Sequence, residues 1–131
     1  MTNGTTMKLK DAVLVTAPDG SAVRILPATE RGSMAHFSLQ PGEVSQAVVH
    51  RSVEEIWYVT AGGGRIWRSS GGEESVTELE PGLSLTIPVG TSFQFRAADD
   101  QALEVVAVTM PPWPGADEAL PQSGPWPATL V

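Results

Sequence analysis

Cysteine is absent from the 131 residues, which excludes disulfides, thiolate metal sites and a cysteine nucleophile, and fits a reducing compartment. Histidine occurs only at His36 and His50, so any imidazole chemistry rests on those two positions. Positive charge is scarce: eight Lys and Arg stand against fifteen Asp and Glu, a net charge of −7. Such a chain repels phosphate backbones and anionic membranes at long range, so neither nucleic acid nor a membrane is expected as a partner. No stretch approaches the roughly 20 apolar residues of a membrane span. The start MTNGTTMKLKD lacks the apolar centre of a signal peptide. A soluble, cytoplasmic chain is expected.

Helical periodicity is also missing, and what replaces it is a series of short strand-like runs separated by turn residues. They fall near residues 12–16, 22–26, 34–39, 46–50, 56–60, 65–68, 76–79, 83–87, 93–95 and 103–110. Signals such as Pro18-Asp19-Gly20, Pro41-Gly42, Pro81-Gly82 and Pro88-Val89-Gly90 punctuate them. About ten strands at this spacing predict an all-β barrel or sandwich with under about a tenth of its residues helical. At 41% hydrophobic, the chain suffices for one domain with a real core. The expected organisation is a flexible N-terminus over 1–10, a β-barrel over 11–110 and a Pro/Trp-rich strap over 111–131. Trp113 and Trp126 in that tail need a surface to bury against, with a helical turn near Ala116 to Leu120; a homodimer contact is the functional alternative.

The stretch from Pro41 to Gly62 concentrates the chemistry. One run carries Gln46, Val48 and His50 on one strand face, and the next carries Glu55, Trp57 and Val59. Ser52 to Glu55 also fit a helix-starting capping box, but the bulky residues Ile56 to Thr60 and the glycines at 62, 63 and 64 favour strand, turn, strand. If these runs pair, His50 and Glu55 meet. A glutamate in an apolar pocket beside Trp57 and Phe93 has its proton affinity raised unless His50 charges to meet it. Such a pair can move a proton to or from a substrate, or can merely satisfy itself inside the fold. Trp57, Phe93 and Phe95 read equally as core or as a ligand platform. Arg51, Arg65, Arg68 and Arg96 lie in or beside strands. Arg65 or Arg68 could hold an anionic group, although solvated outward faces are the plainer reading for arginine.

The spacing resembles the cupin superfamily over Met34 to Met110. Gly42, five residues, Val48-Val49-His50, four residues, Glu55, six residues and Gly62 match the first cupin motif, in which His-x-His precedes the glutamate. Gly82, five residues, Pro88-Val89-Gly90, two residues, Phe93, three residues and Ala97 match the spacing of the second. The chain also looks like small single-domain bacterial cupins that end in a Pro-Pro-Trp-Pro-Gly segment. The resemblance implies a single antiparallel cupin barrel, the double-stranded β-helix or jelly roll. Cupins of the usual kind hold a divalent metal through three histidines and the glutamate. Here Val48 and Phe93 replace two histidines, leaving His50 and Glu55, fewer ligands than a tight site needs. Gln46 is a candidate third ligand, whereas the apolar face of Ala35, Phe37 and Leu39 puts His36 opposite.

No tightly bound cofactor is therefore expected; zinc, manganese or iron, if held, would sit on His50 and Glu55. The leading expectation is an isomerase, lyase or cyclase. It would transfer a proton on a small polar or polyketide-like molecule, with His50 as base or acid, Glu55 as its partner, and Gln46, Val48, Trp57, Arg65, Phe93 and Phe95 around the substrate. The alternatives are a non-catalytic small-ligand-binding cupin and a metal-dependent oxygenase or isomerase with a rebuilt site.

Overall fold

The computed structural model describes residues 4–131. Of the ten N-terminal residues expected to fray, the first three lie outside the described residues. Eleven strands follow: β1 (Val13–Thr16), β2 (Ala22–Ala28), β3 (Ser33–Leu39), β4 (Val48–His50), β5 (Glu54–Gly62), β6 (Gly64–Ser70), β7 (Glu73–Leu79), β8 (Ser84–Ile87), β9 (Ser92–Ala97), β10 (Leu103–Met110) and β11 (Ala119–Pro121). Short 3-10 turns at Leu9–Asp11 and Ala116–Glu118 are the only helical elements among the described residues. Two antiparallel sheets result, ordered β1-β2-β3-β10-β5-β8 and β11-β4-β9-β6-β7. They face each other as a jelly roll that is not hydrogen-bonded shut into a barrel.

Alternation along the strands builds the interior. In β5, Glu55, Trp57 and Val59 point inward and are buried while Glu54, Ile56 and Tyr58 face solvent. At one end, Trp57 packs edge-on against Phe95 with ring centroids 4.9 Å apart, and Leu39, Ile66, Val59, Leu103 and Val105 close round them. Burying an aromatic pair of this kind is worth several kcal/mol, since truncating a core Phe or Trp costs about 3–5 kcal/mol. Toward β1 and β2 the space between the sheets stays unfilled and forms a cavity.

The motif glycine Gly62 has φ of +81°, and a β-carbon there would run into the carbonyl of Ala102. It lets β5 turn into β6 against the start of β10. The segment after Met110 crosses the cavity end, adds β11 to β4 and returns over the outside of β9. Gln94, which alternation would put in solvent, is buried beneath this return. Its Nε2 donates to Ser45 O and Trp126 O, while its Oε1 accepts from Trp126 N. Thr129 and Leu130 then bond the backbone of Val44.

Candidate active site

His50 and Glu55 meet, but not through strand pairing. β4 pairs with β9 and β11, and β5 with β8 and β10. The two residues approach across the interior from opposite sheets, with His50 Nδ1 3.8 Å from Glu55 Oε1. Val48 is the register partner of Phe93. All four positions of the motif alignment line one cavity of about 420 Å³, enclosed by the two sheets and the tail. Most of its wall is apolar: Val23, Ile25, Leu26, Ala35 and Phe37 from one sheet, Val48 and Phe93 from the other, and Pro112, Trp113 and Ala116 from the tail. Val15 and Ile25 remain partly open to solvent, which places the mouth beside β1 and β2.

Electrostatics here follow from burial. His50 is 6% exposed and Glu55 3%. Glu55 Oε2 accepts the indole N–H of Trp57 at 2.7 Å, and His50 Nδ1 is buried without a hydrogen-bond partner. Burial raises the Glu55 carboxyl to about 7, only partly opposed by the Trp57 bond and reinforced by the charge of Asp19. Burial lowers His50 to about 4, against the pull of Glu118. Burial thus disfavours the imidazolium and the carboxylate alike, and both shifts run toward the neutral forms of the pair. His50 also packs edge-on against Phe93 and Trp113, with centroids 5.2 and 5.1 Å away.

The other sequence candidates divide. Trp57 and Phe95 lie behind the cavity in the core, with Trp57 reaching the site only through its bond to Glu55. Gln46 does not enter it: the chain leaves strand geometry between Val44 and Val48, breaking the alternation, and the Gln46 amide bonds Leu130 O instead. Arg65 lies on an outward face paired to Glu78 at 2.7 Å. Arg68 spans to Thr86 O and Thr77 Oγ1. Neither arginine lines the cavity.

A metal fits this donor set poorly. Val48 and Phe93 offer no lone pair, Gln46 lies outside the cavity with its amide N–H bonded to Leu130 O, and His36 contacts Glu104 at 3.1 Å on the far face of its sheet. Among the described residues no three His, Asp or Glu converge as metal ligands do.

Three further residues contribute that local reading missed. Asp19, inside a sequence read simply as a turn, is buried and lines the cavity. Its Oδ1 accepts from Ser21 N at 2.9 Å and Ser21 Oγ at 2.6 Å. Burial lifts its pKa more than these bonds lower it. Trp113 is held over His50 by a bond from its backbone N–H to Ser33 Oγ at 2.9 Å. Glu118 accepts from Ser52 N at 2.7 Å, Ser52 Oγ and Val53 N, clamping the β4–β5 turn. Burial opposes its ionisation, but these bonds win and keep its carboxyl below the ordinary range. Glycine and proline around Asp19 and Trp113 signal turns, and nothing local signals what those turns fold against.

Among solved structures, oxalate decarboxylase from Bacillus subtilis superposes with a TM-score of 0.78 at 16% identity, covering 92% of this chain and 33% of its own. The present chain thus spans about a third of that protein. Streptomyces PAC13, solved with uridine, superposes with a TM-score of 0.73 at 15% identity, covering 93% of this chain and 92% of its own. At these identities the likeness is one of fold. No curated protein matches the sequence. The sequence pattern of the cupin domain matches residues 35–109, more than half of the chain. With both motifs, the two facing sheets and the inward motif positions in agreement, the chain belongs to the cupin superfamily.

Proposed function

We propose that this cupin is a small-molecule enzyme that transfers a proton within the cavity, with Glu55 gaining and losing the proton and His50 acting as its neutral partner. The observation that supports this most is the Glu55 carboxyl, brought to about 7 by burial. One of its oxygens is fixed by Trp57 and the other is directed toward His50. A carboxyl near neutrality is suited both to accept and to return a proton. Returned to a second atom of the substrate, the proton completes an isomerisation; followed by departure of a leaving group, its removal completes an elimination. Uncharged His50 has one nitrogen that donates and one that accepts, so it can bond a substrate oxygen as charge develops there. That one relative is a decarboxylase and another was solved with uridine supports small-molecule chemistry on this fold.

The test uses a small apolar ketone, 1-indanone, incubated with the protein in D₂O while NMR follows loss of the C2 hydrogens. Exchange should exceed that with Glu55→Gln by about 10²-fold or more, the scale of a general acid–base group. Equal exchange by the two proteins would overturn the proposal.

A further inference from the structure

We propose that the cavity selects an organic amine, an apolar body bearing one basic nitrogen, and rejects carboxylates of the same shape. This goes beyond the proton-transfer reading and does not depend on it. Among the described residues no lysine or arginine lines the cavity, whereas two buried carboxyl groups, Asp19 and Glu55, do. Both hydrogen bonds to Asp19 from Ser21 end on Oδ1, which leaves Oδ2 for a ligand. Glu55 Oε1 has only the 3.8 Å approach of His50. His50 lines the same space, more than nine-tenths buried, with Nδ1 unpartnered.

An ammonium entering here meets acceptors and aromatic rings, because Phe37, Phe93 and Trp113 all belong to the wall. Ring faces attract cations, and desolvation strengthens that attraction. Glu118, clamped behind β4, adds negative potential without entering the cavity. A carboxylate entering instead would lose its hydration beside two acids and find no countercharge. The net charge of −7 steers approaching ligands the same way. A volume of about 420 Å³ admits a ring with a short chain.

The experiment is isothermal titration calorimetry at about pH 8 with three probes of one shape: 3-phenylpropylamine, 3-phenylpropan-1-ol and 3-phenylpropionate. The amine should bind most tightly, about tenfold or more over the propionate, with the alcohol between. Asp19→Asn and Glu55→Gln should each bring amine and alcohol affinities closer together. If Asp19→Asn fails to fold, Glu55→Gln alone decides. The proposal is overturned if the propionate or the alcohol binds as tightly as the amine, if no probe binds, or if no folded variant changes the preference. Amine preference without 1-indanone exchange would overturn the proton-transfer reading alone. Exchange without amine preference would overturn this one alone.

Discussion

Removing either member of the His50–Glu55 pair should expose opposite pH dependences of stability that nearly cancel in the parent protein. Unfolded, Glu55 titrates at 4.5 and, folded, at about 7. Between those values the folded state binds more protons, so stability falls as pH rises. His50 titrates at 6.5 unfolded and about 4 folded. Between those values the unfolded state binds more protons, so stability rises with pH. Each gap is worth about 3 kcal/mol, at about 1.4 kcal/mol per pH unit. Burial is the leading cause of both shifts, and neither residue is a principal cause of the other's, so each slope should survive loss of its partner. Glu55→Gln should therefore gain about 3 kcal/mol between pH 4 and 6.5, and His50→Leu should lose about as much between 4.5 and 7, relative to the parent's flatter profile. Asp19 and Glu118 are present in all three proteins and are lesser causes of the two shifts than burial, so they modify these slopes without setting their signs. Urea midpoints followed by circular dichroism would read this directly, since about 3 kcal/mol moves a midpoint by about 1–2 M at ordinary slopes. Differences from the parent that stay constant with pH would refute the reasoning. Reversed signs would mean that the pair is charged in the folded protein.

Two other outcomes follow from the same geometry. Val48→His with Phe93→His places imidazoles at paired positions facing His50 and Glu55, and should raise zinc or manganese affinity well above the parent's in equilibrium dialysis; no gain would show that these side chains do not converge as described. Glu118→Ala strands the N–H groups of Ser52 and Val53 and should cost about 1–3 kcal/mol in chemical unfolding; an unchanged midpoint would show that the clamp contributes nothing.

Motif spacing made the fold and the convergence of Val48, His50, Glu55 and Phe93 legible in the sequence, because each position stands at a fixed distance from a glycine or proline turn. Strand alternation worked within β3 and β5, placing Phe37 inward and His36 outward. It failed at Gln46, where the chain breaks from strand geometry to bond Leu130. Proximity in sequence also misled: His50 and Glu55 are five apart, yet β4 and β5 belong to different sheets. Which strands pair is settled by distant partners, such as β11 on β4. The roles of Asp19 and Trp113 were hidden for the same reason.

The way the tail closes the cavity bears on the order in which the molecule assembles. Adjacent hairpins such as β6–β7 join residues close in sequence and can form early. The tail instead waits for distant encounters: Ser52 with Glu118 across 66 residues, Ser33 with Trp113 across 80, and Val44 with Thr129 across 85. Long loops must close before these contacts stabilise anything, so they belong to the slow, late part of folding. With three residues in each of β4 and β11, and β11 at a sheet edge, amide hydrogens of these strands should exchange ahead of those in β5 and β10. The segment that covers the cavity end is thus the last part of the fold to be fastened.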